Sequence, residues 1–218
     1  MERRDALKRI GMGMGYVVAT PTILSILKSC KSEPKWIPVN FTQEEGNVIY
    51  KLTDIIIPKT DTPGAVELDV PQFIDAFIHE VYRTNTLKVF KNSKDAFMKK
   101  IRELTAQEEI TEVAPEVLTG MLDKYLKISK EEERDLSIKI GVNTIEDEVP
   151  PGLVIMPLLE DDLIYNFLST VRGLAIWGFK ESQYIGEEVL AYKPIPGEQK
   201  GCVDLEEATG GKAWAITN

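Results

Sequence analysis

Leu52-Thr53-Asp54-Ile55-Ile56-Ile57-Pro58-Lys59-Thr60-Asp61-Thr62-Pro63-Gly64-Ala65 is an apolar helix end that runs into a proline, crosses a polar turn and meets a second proline followed by glycine. Pro58 has no N–H and its ring clashes with the preceding turn, so a helix arriving through Asp54 must stop there. Thr60, Asp61 and Thr62 offer side-chain oxygens to the nearby backbone, which favours a tight turn. Pro63-Gly64 fits the central pair of a type II turn, with glycine taking the positive φ. A second helix is predicted to begin near Val70. The stretch thus predicts two helices held at a set angle by a rigid connection, and it names no chemistry.

Upstream, Thr42-x-x-Glu45 is a capping box, and the helix it opens runs to about Ile57 with Val48, Leu52, Ile55 and Ile56 facing a core. Downstream, Asp69 is placed to cap the second helix, with Pro71 tolerated in the first turn. Phe73, Ile74, Phe77, Ile78, Val81 and Tyr82 make its apolar stripe, and His79 beside them has no spaced partner, which marks it as a surface or core-edge histidine. Ser93 is the expected cap of a third helix through Leu104, with Phe97, Met98 and Ile101 inward. Thr105-x-x-Glu108 reads as a second capping box whose pattern continues to Val113, and Pro115 restarts a helix with Val117, Leu118, Met121, Leu122, Tyr125 and Leu126 on one face. Met121 has the chemistry of a haem ligand, but its spacing is that of core.

Residues 129–156 are charged and then proline-rich, and are expected to form a loop; their carboxylates lack the alternating pattern of a calcium loop. Pro157 to Trp177 is the longest periodic stretch, with Leu159, Leu163, Ile164, Phe167, Leu168, Val171, Leu174 and Ala175 at three- and four-residue steps and Gly178 as its terminator. Arg172 interrupts that apolar run and is expected to snorkel, to pair with a carboxylate or to contact a partner. Past Gly178, residues 179–218 read as an irregular tail with aromatic anchors, suited to wrap the domain or to dock on a partner. The expected fold is mostly α: a compact bundle of about five helices in a single domain, 42–218, with a loop at 129–156 and an extended tail at 179–218.

The chain has 218 residues, a net charge of −9, two cysteines and one histidine. That balance opposes nucleic-acid binding. A Cys/His zinc site lacks ligands, and without Cys-x-x-Cys-His no c-type haem is attached. Residues 1–30 differ from the rest. Arg3 and Arg4 open a positive segment with Leu7 and Lys8, an apolar run follows from Gly11 to Leu27, and Lys28-Ser29-Cys30 ends it. This is the layout of an export signal, and the paired arginines resemble a twin-arginine signal with Ala6 in the usual phenylalanine position. Leu27-Lys28-Ser29-Cys30 resembles a lipobox with an atypical Lys28, which would acylate Cys30 and hold the protein on a membrane surface. The alternative is a disulfide between Cys30 and Cys202 in an oxidising compartment. Residues 31–41, with Pro34 and Pro38, read as a tether. Residues 1–29 hold five positive and two negative side chains, so the remainder carries a net charge of −12.

Asp54-x-Ile56-Ile57-Pro58 with Thr62-Pro63-Gly64-Ala65, the helix around Phe73-Ile74, Val171-Arg172-x-x-x-Ile176-Trp177-Gly178-Phe179, and Tyr192-x-Pro194-Ile195-Pro196-Gly197 through Gly201-Cys202 together resemble gluconate 2-dehydrogenase subunit 3. The resemblance implies a small, mostly helical accessory subunit with no catalytic, cofactor-binding or metal-binding residues of its own. It implies as partner a large FAD-containing dehydrogenase subunit of the glucose-methanol-choline type, often joined by a cytochrome subunit carrying haem c. It further implies a role in escorting that flavoprotein through the twin-arginine export machinery to the periplasm. Pro58, Pro63, Gly64, Arg172, Trp177, Tyr192 and Pro196 are the expected docking residues, from their proline and aromatic content. The competing expectation is a free-standing envelope lipoprotein that binds a ligand or another protein.

Overall fold

The computed structural model describes residues 36–107, 110, 112–147, 149–195, 197 and 201–215. Arg3, Arg4, Leu7, Lys8, Cys30, Glu108 and Pro196 lie outside the described residues. The chain divides after Ile37, and the described helices all belong to the second unit, Pro38–Asn218.

Helix α1 spans Gln43–Ile56 and opens with both halves of its capping box: the Glu45 N–H donates to Thr42 Oγ1 at 3.2 Å, and the Thr42 N–H donates to Glu45 Oε2 at 2.8 Å. Ile57 closes it, its N–H reaching Thr53 O at 3.0 Å, and Pro58 follows where a helix cannot continue. The connection beyond is rigid, but not for the predicted reason. Gly64 does not adopt a positive φ. A Cβ there would lie 2.8 Å from the backbone nitrogen of Lys59 and 3.1 Å from Ile57 O. Glycine is required by close approach of the chain to itself. The turn is closed by Ala65 N–H donating to Ile57 O at 3.0 Å and by Gly64 N–H donating to Glu67 Oε2 at 3.1 Å, while Lys59 pairs with the same carboxylate.

A single 3-10 turn, Val66–Leu68, leads into α2, Val70–Val81. Asp69 stands at the predicted boundary, yet it does not cap: it sits at φ 55°, and its carboxylate takes Gln72 Nε2 at 2.8 Å instead of a backbone N–H. Ile74 and Ile78 are fully buried, whereas Val81 faces out.

Helix α3 is one continuous helix, Thr84–Thr105. Ser93 is not its cap but an interior, fully buried residue, donating to Val89 O at 2.8 Å. The true start is capped from a distance, since Glu146 Oε1 accepts from the N–H groups of Asn85 at 2.8 Å and Thr86 at 3.0 Å. No local window of sequence contains that partner. Thr105 ends this helix rather than starting another, and Ala106 leaves it in the left-handed conformation at φ 54°. Ile110 and Val113 are buried in a non-helical connection. Pro115 then opens α4, Pro115–Leu126, burying Leu118, Met121 and Tyr125.

The expected loop at 129–156 contains a helix, α5, Lys130–Asn143, opened by a Ser129/Glu132 capping box. It buries no residue, so apolar periodicity could not reveal it. Polar links hold it: the Lys139 ammonium on Asp162, Arg172 on Glu133 at 3.5 Å, and Asn143 Nδ2 on Met156 O at 3.0 Å. Helix α6, Glu160–Glu181, is the hub, packing most extensively on α3 and also on α2, α4 and α1. Phe167 stacks on Phe97 with ring centres 4.5 Å apart, and Phe90 and Tyr82 continue the aromatic core.

Gly178 does not terminate α6. It is buried inside the helix, and a Cβ there would lie 2.5 Å from Phe73 Cδ1. The tail is also more ordered than expected. A π-helical turn, Tyr184–Val189, buries Ile185. The parallel bridge Ala191–Trp214 then brings the end of the described chain back, flanking a short helix α7, Leu205–Thr209. The outcome is the mostly α bundle expected, with α5 as the additional long helix.

Candidate functional site

The residues singled out by sequence fall on separate parts of this bundle. Pro58 is exposed at the turn, Pro63 is half-buried, and Gly64 is consumed by the internal closure of that turn. Arg172 is half-buried and reaches Glu133 of α5, which realises the ion-pair expectation. Trp177 lies edge-on to Phe73 and Phe77, with ring centres 5.3 and 5.0 Å away, and its Nε1 donates to Glu181 Oε1 at 3.2 Å. Tyr192 is exposed beside the Ala191–Trp214 bridge. Cys202 is exposed and forms no disulfide among the described residues. His79 projects from α2 with Glu80 Oε1 3.9 Å from its Nε2, as expected of a surface histidine.

Several titratable groups are engaged in structure. Burial pushes the phenols of Tyr82, Tyr125 and Tyr165 up, so all three stay neutral near neutral pH. Tyr125 donates to Asp161 at 2.8 Å. The buried Asp75 carboxylate binds the backbone of Val39 and Asn40. Among the described residues no three His, Cys, Asp or Glu side chains gather where a metal ion could bind, and no helix is long and apolar enough to cross a membrane.

The feature that sequence reading missed lies between α5 and α6. Val149-Pro150-Pro151-Gly152-Leu153-Val154-Ile155-Met156-Pro157-Leu158-Leu159 holds no charged residue. It is not helical, because three prolines remove donors and restrict the residues before them. Six of its apolar side chains are exposed, from Val149 at 38% to Val154 at 76%. Beneath it lies a cleft of about 390 Å³ between the first turns of α3, the end of α5 and the start of α6. Val149, Ile155 and Leu158 of the strip form one wall; Asn85, Lys88 and Asn92 of α3 supply the polar side. The available signal was a four-residue apolar run, Leu153 to Met156, set between prolines where a buried helix could not form.

The family model for gluconate 2-dehydrogenase subunit 3 matches residues 43–197, which is well over half of the chain. Comparison with curated proteins and with solved structures gives no match. The matched span runs from the first residue of α1 to the bridge region and includes the turn, all six long helices, the strip and the cleft. The chain therefore belongs to the gluconate 2-dehydrogenase subunit 3 family and is a subunit of a multi-subunit dehydrogenase complex of that kind.

Proposed function

We propose that this chain is a non-catalytic accessory subunit that escorts and stabilises a FAD-containing dehydrogenase subunit of the glucose-methanol-choline type. The observation that carries the reading is the family match across residues 43–197. The substrate of the complex is a sugar or sugar acid, oxidised by the flavoprotein, and a cytochrome subunit bearing haem c takes the electrons where one is present. Arg3, Arg4, Leu7 and Lys8 supply the twin-arginine signal on which the folded, FAD-loaded partner is exported to the periplasm, and Cys30 is acylated to hold the complex on the membrane. The arrangement of the domain fits a supporting role, since the buried Asp75 carboxylate holds the Val39–Asn40 backbone and the buried Ser93 hydroxyl takes Asn166 across the α3–α6 contact.

The test is a mild-detergent pull-down of the C-terminally tagged chain from its native membranes, followed by an absorbance scan. A flavin spectrum with a large co-eluting chain is expected. A colourless protein eluting alone would reject the reading. The cleft of about 390 Å³ favours a second reading, a free-standing envelope lipoprotein with a small-molecule ligand. That reading predicts the solitary, colourless protein.

A further inference from the structure

We infer that the apolar strip 149–159 and the cleft beneath it form the docking groove for the flavoprotein subunit, with a large apolar side chain of that partner inserted in the cleft. The inference rests on the accessory-subunit reading and adds to it the face that is used.

Four observations carry it. The strip is eleven residues long without a charge, while the chain from residue 30 onward has a net charge of −12. On so acidic a protein an uncharged segment of that length stands out as a surface meant for cover. Six of its apolar side chains are also exposed within these eleven residues. Val154, Met156 and Leu159 are each more than half open, and Val149, Leu153 and Ile155 extend the patch. Side chains of that size leave several hundred Å² of apolar surface, the scale at which exposed patches mark interaction sites.

The strip is held in place at both ends and in the middle, so it is presented rather than loose. Glu146 anchors the approach to it on α3, Asn143 Nδ2 donates to Met156 O at 3.0 Å, and Leu159 N–H donates to Asp162 Oδ2 at 2.8 Å. A pre-ordered surface loses less entropy on association. Finally, strip and cleft share Val149, Ile155 and Leu158, so a partner lying on the first has a concave site for an anchor in the second. Interfaces place their energetically dominant side chains in such pockets.

Size and charge decide the occupant. A standard interface covers about 800 Å² on each partner. The strip alone falls short of that, so two copies meeting strip to strip would make an undersized contact. Two chains of net charge −12 also repel. A larger chain that covers the strip, fills the cleft and continues onto neighbouring surface meets both conditions. The partner face is therefore apolar at its centre, with one bulky aliphatic or aromatic side chain projecting from it.

The experiment uses the full-length tagged chain in its native membranes, with co-eluting flavin per mole of bait as the readout. Three proteins are compared with the wild type: V154E/M156E on the strip, N92W filling the cleft from α3 without changing any residue of the strip, and L104E on the exposed far end of α3 as a control. Circular-dichroism melting establishes that each is folded. V154E/M156E and N92W are expected to lose flavin at least ten-fold, while L104E retains it. Retention of flavin by folded V154E/M156E and N92W overturns the groove and leaves the accessory-subunit reading standing. Absence of flavin from the wild type removes both. A wild type that elutes as a dimer, converted to a monomer by V154E/M156E, assigns the strip to a second copy and overturns the inference.

Discussion

The carboxylate of Asp75, buried in α2, accepts the backbone N–H of Asn40 at 2.9 Å and that of Val39 at 2.7 Å, while Asn40 Nδ2 donates back to Asp75 O at 2.9 Å. The last residues of the expected tether are thereby built into the domain, and Phe41 follows into the core against Phe90. Whatever pulls on the segment before Pro38 pulls on this clamp. Replacing Asp75 by alanine strands two N–H donors and is expected to destabilise by about 3 kcal/mol, from two charge-assisted bonds replaced by unpaired donors. Asp75→Asn keeps one acceptor oxygen and should lose roughly half as much. Thermal melting measures both. Equal stability of Asp75→Ala and the wild type would show that the clamp contributes nothing.

Gly178 and Gly173 lie on the same helix and should respond oppositely to alanine. At Gly178 the added Cβ would meet Phe73 Cδ1 at 2.5 Å, and Phe73 is boxed in by Phe77 and Trp177. The ring cannot move without disturbing both, so Gly178→Ala should cost about 1–3 kcal/mol, as overpacking does. At Gly173 nothing lies within 4 Å. Gly173→Ala should stabilise by about 0.5–1 kcal/mol, through the lower entropy of the unfolded chain and better helix propensity. Melting temperatures decide the signs. Trp177 fluorescence should shift in the first variant only.

These glycines show what sequence reading could and could not reach. Local rules worked where the partner is local. The Thr42/Glu45 box, the stop at Pro58, the start at Val70 and the apolar face of α6 all depend on residues within a few positions of one another. Sequence marks Gly64 and Gly178 as special positions but suggests the wrong reason, because close approach by Lys59 or Phe73 is a tertiary fact. Ser93 reads as a cap in sequence because its partner Asn166 is 73 residues away. α5 reads as loop in sequence because charge, rather than buried apolar area, attaches it. The strip at 149–159 is not legible in sequence, because exposure of an apolar run is invisible until the fold shows that nothing among the described residues covers it.

Ser93 and Asn166 give a second test of that long-range logic. Asn166 Nδ2 donates to Ser93 Oγ at 2.9 Å across the α3–α6 contact. Ser93→Ala should cost about 1–2 kcal/mol, since the amide loses its acceptor at a part-buried site. In a double-mutant cycle with Asn166→Ala, the coupling should be about 0.5–1.5 kcal/mol. Additive losses would mean that the two side chains stabilise the contact independently.

Glu67 supplies a pH-dependent test of the turn. Its bond from Lys59, then that from the Gly64 N–H, holds the carboxyl below its ordinary value of 4.5. A depressed folded-state pKa means that the stabilisation is fully present above the ordinary value and is lost as pH falls through the lower, folded-state one. Glu67→Gln should therefore melt below the wild type at neutral pH, and the two should converge as the pH drops below 4.5. The gap should also narrow in high salt, because the Lys59 pair is exposed. A gap that is constant across this range would assign the effect to something other than charge.

Helix α5 stands or falls by its polar links. Lys139 and Asp162 are both mostly covered, with side chains 18% and 13% exposed, and Asp162 also accepts the Leu159 N–H at the start of α6. Lys139→Ala removes the ammonium of this pair while leaving that cap intact. With no buried apolar residue to hold the helix, the loss should fall on α5 locally rather than on the whole bundle. Local opening should become easier by about 1–2 kcal/mol, which raises amide exchange across 130–143 roughly ten-fold. Exchange in the central turns of α6 should be unchanged. Because Asn143 at the end of α5 supports Met156 O, residues 153–156 should gain exchange in parallel. Faster exchange confined to 130–143, with 153–156 unaffected, would show that the strip is held independently of the helix beside it.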